Sequence, residues 1–170
     1  RNRGTIGGSL CHLDPSAELP LVAATMDATI EVTSRADGRF IPMEEFPNFY
    51  MTPALESQEM VSAIRFAPWP PGHGWAFLEF SRRLGDFAVV AVAALIYLER
   101  SRIIDRVKVM LGGVTDMPWH LIEVDRTLIG TTASSAAFKQ AARACRKIDA
   151  TEDVHAPAAY RRHLAEVLTF

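Results

Sequence analysis

The sequence predicts a fold that contains both strands and helices, with most of the helical pattern in the last third of the chain. Apolar and polar residues alternate around Ala28, Ile30 and Val32, as in a strand with one buried face. From Met117 onward the apolar residues follow a helical period instead. Hydrophobic residues make up 49% of the 170 residues, so the chain can bury a core as one medium domain or two small ones.

The first part of the chain is predicted to consist of loops, short strands and tight turns. We expect a loop with a short helical turn over residues 10–20, strands over residues 26–34, 39–42 and 59–66, and a helical turn over residues 42–46. The segment from Arg35 to Gly38 predicts a hairpin turn, because Asp37 and Gly38 tolerate the positive φ angles that such turns often require.

The loop over residues 67–74 is the clearest break in the chain. Its three prolines and two glycines exclude a helix or a central strand, so we place a boundary here between units at residues 1–67 and 68–170. Beyond it we expect a strand at 75–83, a helical turn at 86–89, strands at 90–98 and 101–112, and helices at 117–130, 133–148 and 157–168. Pro118 would begin the first of these helices, and Thr131 or Thr132 would cap the second.

Two adjacent glycines, Gly7 and Gly8, follow the β-branched pair Thr5-Ile6 and precede Ser9. This pattern predicts a tight turn, because glycine reaches positive φ angles at little cost and allows a ligand to approach the backbone. Successive N–H groups in such a turn can form a concave site for an anion. From the pattern alone, a plain turn is the more frequent explanation.

Composition and spacing exclude several classes of function. A net charge of −2 gives no basic footprint for nucleic acid. Cys11 and Cys145 are too far apart for a zinc ribbon and are interpreted as thiols of a reducing compartment. The histidines lack metal-ligand spacing, and the most apolar run, residues 87–98, is too short to span a bilayer. We expect a cytoplasmic protein, and the start at Arg1 inside a motif suggests a fragment.

Several stretches together resemble one known family. The motifs are R-N-R-G-T-I-G-G from Arg1, D-P-S-A-E-L-P from Asp14, an R-R-x-G-D-F-A stretch that ends at Ala88, and D-V-x-A-x-x-x-Y-R-R-x-L from Asp153. The chain is similar to the FAD-binding medium subunit of molybdenum hydroxylases, the carbon monoxide dehydrogenase and xanthine dehydrogenase type. The resemblance implies an α+β fold: residues 1–67 would be part of a mixed α/β flavin-binding subdomain, and residues 68–170 a small antiparallel sheet with a C-terminal helix bundle.

The resemblance also implies a set of flavin-binding residues. The backbone N–H groups of Thr5, Ile6, Gly7, Gly8 and Ser9, with the Thr5 hydroxyl, would contact the polar chain of FAD. Glu18 would accept hydrogen bonds from the flavin, and Val61 would lie against the isoalloxazine ring. Asp14 is a further carboxylate acceptor near Glu18. Tyr50 could lie beside the ring, although a core aromatic with a hydrogen-bonded hydroxyl is the favoured alternative. A lysine that some relatives place near residues 77–79 is absent, since Leu78 and Glu79 stand there.

The implied function is electron transfer inside a larger complex. Electrons would pass from a molybdenum-cofactor large subunit through [2Fe-2S] clusters of a small subunit to FAD, and then to NAD, a quinone or oxygen. No residue of this chain would be a catalyst on the substrate side, because the redox chemistry belongs to the cofactor. Two alternatives are a non-enzymatic assembly fragment that does not hold FAD by itself and, with the least support, a small nucleotide-binding protein.

Two further features are interpreted as structural. Arg161 and Arg162 could bind a partner or a phosphate, but the expected position is a solvated helix face, because arginine is mostly exposed in folded proteins. A second pair of glycines, Gly112 and Gly113, is interpreted as a turn that closes a strand.

Overall fold

A computed structural model describes residues 4–83 and 85–170; residues 1–3 of the first motif and Leu84 lie outside it. Its helices are α1 (Ile6–His12), α2 (Glu18–Thr25), α3 (Ile122–Leu128), α4 (Ser135–Ala142), continued by a 3-10 turn (Arg143–Lys147), and α5 (Ala158–Thr169). Its strands are β1 (Thr29–Thr33), β2 (Gly38–Pro42), β3 (Pro47–Phe49), β4 (Thr52–Pro53), β5 (Met60–Arg65), β6 (Gly74–Phe80), β7 (Val90–Leu98), β8 (Ile104–Gly112) and β9 (Trp119–His120).

The predicted strands of the first part form an antiparallel sheet in the order β2-β1-β5. The predicted buried face of β1 is confirmed, because Ile30 and Val32 have no exposed surface. The hairpin between β1 and β2 is also confirmed, but its expected positive φ angles are not, since neither Asp37 nor Gly38 adopts one. The Ser34 hydroxyl instead holds the turn by accepting a 3.1 Å hydrogen bond from the Asp37 N–H.

The four strands β6-β7-β8-β9 form an antiparallel sheet, and its inner strand β7 is covered on both faces. On one face, Val90 and Val92 of β7 pack with the C-terminal helices, in what we name the C-terminal core. On the other face, Ala91 and Ala93 pack against α2 and the first sheet, in what we name the N-terminal core. Small alanine side chains at these positions let the helix approach the sheet closely. Because successive side chains of β7 enter the two cores alternately, this sheet connects the two halves of the chain.

Several predicted element boundaries are wrong. Residues 86–89 form no helical turn but an irregular segment that leads into β7. Pro118 does not begin a helix, because the chain first forms β9 beside β8 and turns into α3 only at Ile122. The long helix expected over residues 133–148 is shorter and ends in a 3-10 turn, and Ser134 caps it by accepting a 3.2 Å hydrogen bond from Ala137 N–H.

The fold class is confirmed as α+β, with a small antiparallel sheet followed by packed C-terminal helices. The last predicted helix, residues 157–168, corresponds to α5 within one residue at each end. Across the described residues, none of the helices combines the length and apolar character needed to cross a bilayer.

Candidate functional site

The first candidate segment, Thr5 to Ser9, is the start of α1 and not the predicted tight turn. Thr5 is the N-cap, with φ −120 and ψ 152, and its Oγ1 accepts a 3.0 Å hydrogen bond from the Gly8 N–H. The Ser9 N–H donates to the Thr5 carbonyl at 3.0 Å. Neither Gly7 nor Gly8 has a positive φ. The expected turn is wrong because a β-branched cap and the buried Leu10 stabilise a helix in spite of the glycines.

The glycines leave a bare patch of backbone at this first turn. A Cβ added at Gly7 would meet no atom within 4 Å, whereas one at Gly8 would lie 3.0 Å from Thr5 Oγ1. The first N–H groups of any helix lack an intrahelical acceptor, and those of Ile6 and Gly7 have no acceptor among the described residues. Thr5 retains its hydroxyl proton for donation, since a hydroxyl can accept and donate at once. The segment thus presents hydrogen-bond donors beside the open space at Gly7.

The second candidate segment is the loop between α1 and α2, which carries Asp14 and leads to Glu18. Asp14 Oδ1 accepts a 2.8 Å hydrogen bond from the Ser16 N–H, so the carboxylate shapes its own loop. Ala17 N–H donates to the Asp14 carbonyl at 3.0 Å. Glu18 is half-buried in the first turn of α2, where a negative charge is favourable. Both carboxylates are therefore held near the surface at the entry of α2.

This loop is fastened to the end of β8. The Gly113 N–H donates a 2.8 Å hydrogen bond to the Pro15 carbonyl. Gly113 has φ +75, and a Cβ there would lie 2.7 Å from the Val89 carbonyl oxygen. Gly112 and Gly113 are thus more than the expected strand-ending turn, because their missing side chains allow the loop and the start of β7 to approach.

Arg161 lies beneath the same junction, which contradicts the expected solvated position. Its side chain is only 4% exposed. Nη1 donates to the carbonyls of Val89 at 2.6 Å and Gly113 at 2.5 Å, and Nη2 donates to Asp153 Oδ2 at 2.7 Å. Arg162 is half-buried, so this second arginine also departs from the expected solvated face. The prediction fails for Arg161 because α5 packs against the Val89 and Gly113 carbonyls, which accept hydrogen bonds from the guanidinium.

Asp153 is the counterion of this buried guanidinium. Partial burial by itself would raise the pKa of Asp153, but hydrogen bonds from Ala156 N–H, Arg161 and His155 N–H lower that pKa to about 2. The carboxylate is therefore charged at neutral pH and compensates the charge of Arg161, as a buried cation requires.

A cleft of about 670 Å³ opens above this junction. Its lining includes Asp14, Tyr50, Phe87 and Arg161. Tyr50 is 49% exposed and Phe87 is 50% exposed. The favoured alternative for Tyr50, a buried core aromatic, is wrong, because the residue lies in the short connection between β3 and β4 at the surface. Two exposed aromatic side chains at a cleft are suited to contact with a flat ring.

The predicted site residues fall into two groups. Asp14 and Tyr50 line the cleft, whereas Thr5 to Ser9, Glu18 and Val61 do not belong to its lining. Val61 lies on β5, which is adjacent to α1, and its side chain packs partly against the N-terminal core. The sequence pattern does not place Phe87 and Arg161 at this cleft, although both stand in stretches that carry the family resemblance. Among the residues that the structure describes, no cluster of histidine, cysteine or carboxylate side chains could hold a metal ion.

Two family models match the chain almost end to end. Residues 1–69 match the FAD binding domain in molybdopterin dehydrogenase, and residues 75–170 match the CO dehydrogenase flavoprotein C-terminal domain. The chain belongs to the FAD-binding subunits of the molybdenum hydroxylase family. The family recognised from the motifs at Arg1, Asp14 and Asp153 is therefore confirmed.

Curated relatives of this FAD-binding subunit support the same assignment. The chain is 34% identical to the 6-hydroxypseudooxynicotine dehydrogenase complex subunit alpha of Paenarthrobacter nicotinovorans, over 99% of this chain and 57% of that protein. It is 32% identical to the glyceraldehyde dehydrogenase medium chain of Sulfolobus acidocaldarius, over 99% of this chain and 60% of that protein. The chain thus spans less than two thirds of these relatives.

Solved structures of related enzymes share the fold. Carbon monoxide dehydrogenase from Hydrogenophaga pseudoflava superposes with a TM-score of 0.92 at 25% identity, over 99% of this chain and 59% of that one. Quinoline 2-oxidoreductase from Pseudomonas putida 86 superposes with a TM-score of 0.90 at 31% identity, over 99% of this chain and 58% of that one.

Proposed function

We propose that the chain holds the FAD of a molybdenum hydroxylase at the first turn of α1 and at the entry of α2. The observation that supports this most directly is the bare backbone at Gly7, in a chain that belongs to a FAD-binding family. In this proposal the N–H groups of Ile6 and Gly7 and the hydroxyl of Thr5 donate hydrogen bonds to the polar chain of the cofactor. The N–H groups of Gly8 and Ser9 already donate within the turn, so these residues contribute bare Cα surface and a side-chain hydroxyl.

The flavin ring would be oriented by acceptors and apolar contacts from three elements. Glu18 accepts hydrogen bonds from the flavin portion, and the carboxylate of Asp14 has a second oxygen besides the one bonded to Ser16 N–H. Val61 on β5 and the exposed Tyr50 provide the apolar contacts. When bound, FAD supplies the electron-accepting chemistry, while these residues bind it, orient it and limit the access of water.

In the complete assembly, electrons would leave a molybdenum-cofactor large subunit, cross the [2Fe-2S] clusters of a small subunit and reach FAD. NAD, a quinone or oxygen would then receive them. The division of the chain into a flavin-binding unit (1–67) and a C-terminal unit (68–170) is part of this proposal. A cytoplasmic location is consistent with the free thiols of Cys11 and Cys145.

The test compares valine at Gly7 with valine at a matched helix position. Gly7 and Ala136 both occupy the second position of a helix whose N-cap side chain accepts a backbone hydrogen bond. Ala136 is exposed and lies on α4, outside the candidate segments. Because Gly7→Val places a side chain where the cofactor would approach, we expect FAD affinity to fall about tenfold or more, equivalent to about 1.4 kcal/mol. Ala136→Val should leave that affinity unchanged.

The affinity is measured by quenching of FAD fluorescence in the native assembly, after removal of the bound flavin. Thermal midpoints of both variants show whether the helices remain folded. Equal FAD affinities for Gly7→Val and the parent protein would overturn the proposed site. A parent protein that folds and assembles without taking up FAD would instead support the assembly-fragment alternative.

A further inference from the structure

Arg161 is the only basic side chain that is buried in the described part of the chain. Burial of a charge is unfavourable unless partners compensate it. Here Asp153 supplies the charge, and two main-chain carbonyls, of Val89 and Gly113, supply further acceptors. The Nε atom has no partner among the described residues. The guanidinium is therefore oriented by the two carbonyls, even though this leaves one donor unsatisfied.

The two carbonyls belong to neighbouring strand ends. Val89 immediately precedes β7 and Gly113 immediately follows β8. One nitrogen atom, Nη1, bonds both, so α5 is connected to the point where the two strands meet. The neighbouring arginine makes no comparable contact, since the hydrogen bond from Arg162 to the Ile148 carbonyl is 3.5 Å long.

The connection continues from Gly113 to the loop before α2. The carbonyl of Gly113 accepts from Arg161, and its N–H donates to the carbonyl of Pro15. Any side chain at Gly113 would collide with the Val89 backbone. A continuous series of hydrogen bonds thus runs from the buried guanidinium, through one residue of backbone, to the loop that holds Asp14 and leads to Glu18.

We propose that Arg161 is a positioning residue for the flavin site, acting through Gly113 on the loop of Asp14 and Glu18. The inference rests on the proposed function, because it assigns these two carboxylates to the flavin. Arginine is suited to this role because its planar fork separates two donor nitrogens, of which one serves the carbonyls and the other serves Asp153. Lysine would retain the charge but offers a single nitrogen.

The test compares FAD affinity and the visible absorption spectrum of bound flavin in Arg161→Met and Arg161→Lys. The protein is again studied in its native assembly. We expect Arg161→Met to weaken FAD binding about tenfold, within the range for residues that share one hydrogen-bond network, and to alter the flavin spectrum. Arg161→Lys should show a smaller loss and should remain folded if the methionine variant does not.

Leu164→Ala provides the control for a general loss of stability. Leu164 is buried on the same helix, and its truncation loosens α5 without removing the hydrogen bonds of Arg161. We expect this variant to have a lower thermal midpoint but an FAD affinity within about twofold of the parent. The inference is overturned if the Arg161 variants lose no more FAD affinity than Leu164→Ala does for the same decrease in thermal midpoint.

A double-variant comparison separates this inference from the proposed function. If Arg161 acts through Glu18, Arg161→Lys should weaken FAD binding less in a Glu18→Gln background than in the parent. The reason is that the carboxylate through which Arg161 acts is already absent in that background. Fully additive losses would overturn the inference. An unchanged FAD affinity in Gly7→Val would instead overturn the proposed site, whatever the Arg161 variants do.

Discussion

The two glycine pairs of the chain, Gly7-Gly8 and Gly112-Gly113, are alike in sequence and opposite in structure. The first pair lies in a helix, with ordinary negative φ angles and open space beside Gly7. The second pair is buried, and Gly113 combines a φ of +75 with a carbonyl 2.7 Å from the position of a Cβ. The first pair leaves room for a ligand, whereas the second leaves room for the protein's own backbone.

The difference is caused by the surroundings of each pair. Thr5 precedes the first pair and caps a helix, so the glycines continue a regular backbone. The second pair ends a central strand at the place where the Pro15 loop and the start of β7 converge. The same dipeptide therefore marks a candidate binding surface in one place and a packing constraint in the other.

The largest expected effect is the loss of stability in Gly113→Ala. The positive φ and the collision with the Val89 carbonyl together should lower the free energy of unfolding by about 3 kcal/mol. Gly130→Ala is the matched control, because Gly130 has φ +79 but no atom within 4 Å of a Cβ; we expect a loss of about 1 kcal/mol there. Urea denaturation measures both, and equal losses would show that the close approach at Gly113 contributes nothing.

The next effect concerns the cap that keeps the first pair helical. Thr5→Val removes the acceptor of the Gly8 N–H while it retains the shape of the side chain, and should cost about 1 kcal/mol. Thr5→Ser retains the hydroxyl and should cost much less. Urea denaturation gives the free energies, and amide exchange at Gly8 reports the local effect. Unaltered exchange at Gly8 in Thr5→Val would contradict a capping role.

A smaller effect, of opposite sign, is expected for alanine in the first pair. Because Gly7 is helical and its surroundings are open, Gly7→Ala should stabilise the folded chain by about 0.5–1 kcal/mol. Gly8→Ala should gain less, since its Cβ would lie 3.0 Å from Thr5 Oγ1. Thermal unfolding in the absence of FAD distinguishes the two. Destabilisation by Gly7→Ala would mean that the space beside this residue is already filled in solution.

The smallest effect is a pH dependence of amide exchange at Gly113, because this glycine is connected to Asp153 through Arg161. The pKa of Asp153 is lowered from 3.8 to about 2 in the folded protein. Its contribution to the free energy of unfolding is therefore fully present above pH 3.8 and is lost as the pH falls towards about 2. The side chain is 43% exposed, so solvent screening keeps the contribution small. In acid, amide exchange at Gly113 should therefore accelerate relative to exchange at Gly8. Asp153→Asn should lack this acid-dependent change, and an identical response would contradict the assigned role of Asp153.

Much of the strand structure could be predicted because it depends on patterns a few residues long. The alternation around Ile30 and Val32 and the turn signals at residues 35–38 locate β1 and β2 correctly. The strand β9 was missed, because two residues beside Pro118 carry no periodicity of their own and pair only through β8. The helix α1 was missed because its local signal is misleading. Its two glycines favour a turn, and only the cap and the burial of Leu10 outweigh that preference.

The candidate site was predictable as a set of motifs, and the roles of individual side chains were less so. The segments at Thr5 and Asp14 are recognisable from the sequence alone, and the family that they indicate is confirmed. The exposed position of Tyr50 and the cleft beside Phe87 could not be derived from the sequence pattern, because both depend on how the connection between β3 and β4 meets the chain before β7. Sequence favours burial for an aromatic residue, and the short β3-β4 connection overrides that preference.

The family, the fold class and the strands with a local periodicity can be predicted from the sequence. Which glycines are constrained and which arginine is buried depends on how distant segments pack together. The reason is the distance along the chain: Arg161 meets carbonyls 72 and 48 positions away, and no local pattern records which backbone groups will lack a donor when two strand ends meet. A charged residue is solvated unless the fold supplies such partners, so its burial is a property of the assembled core.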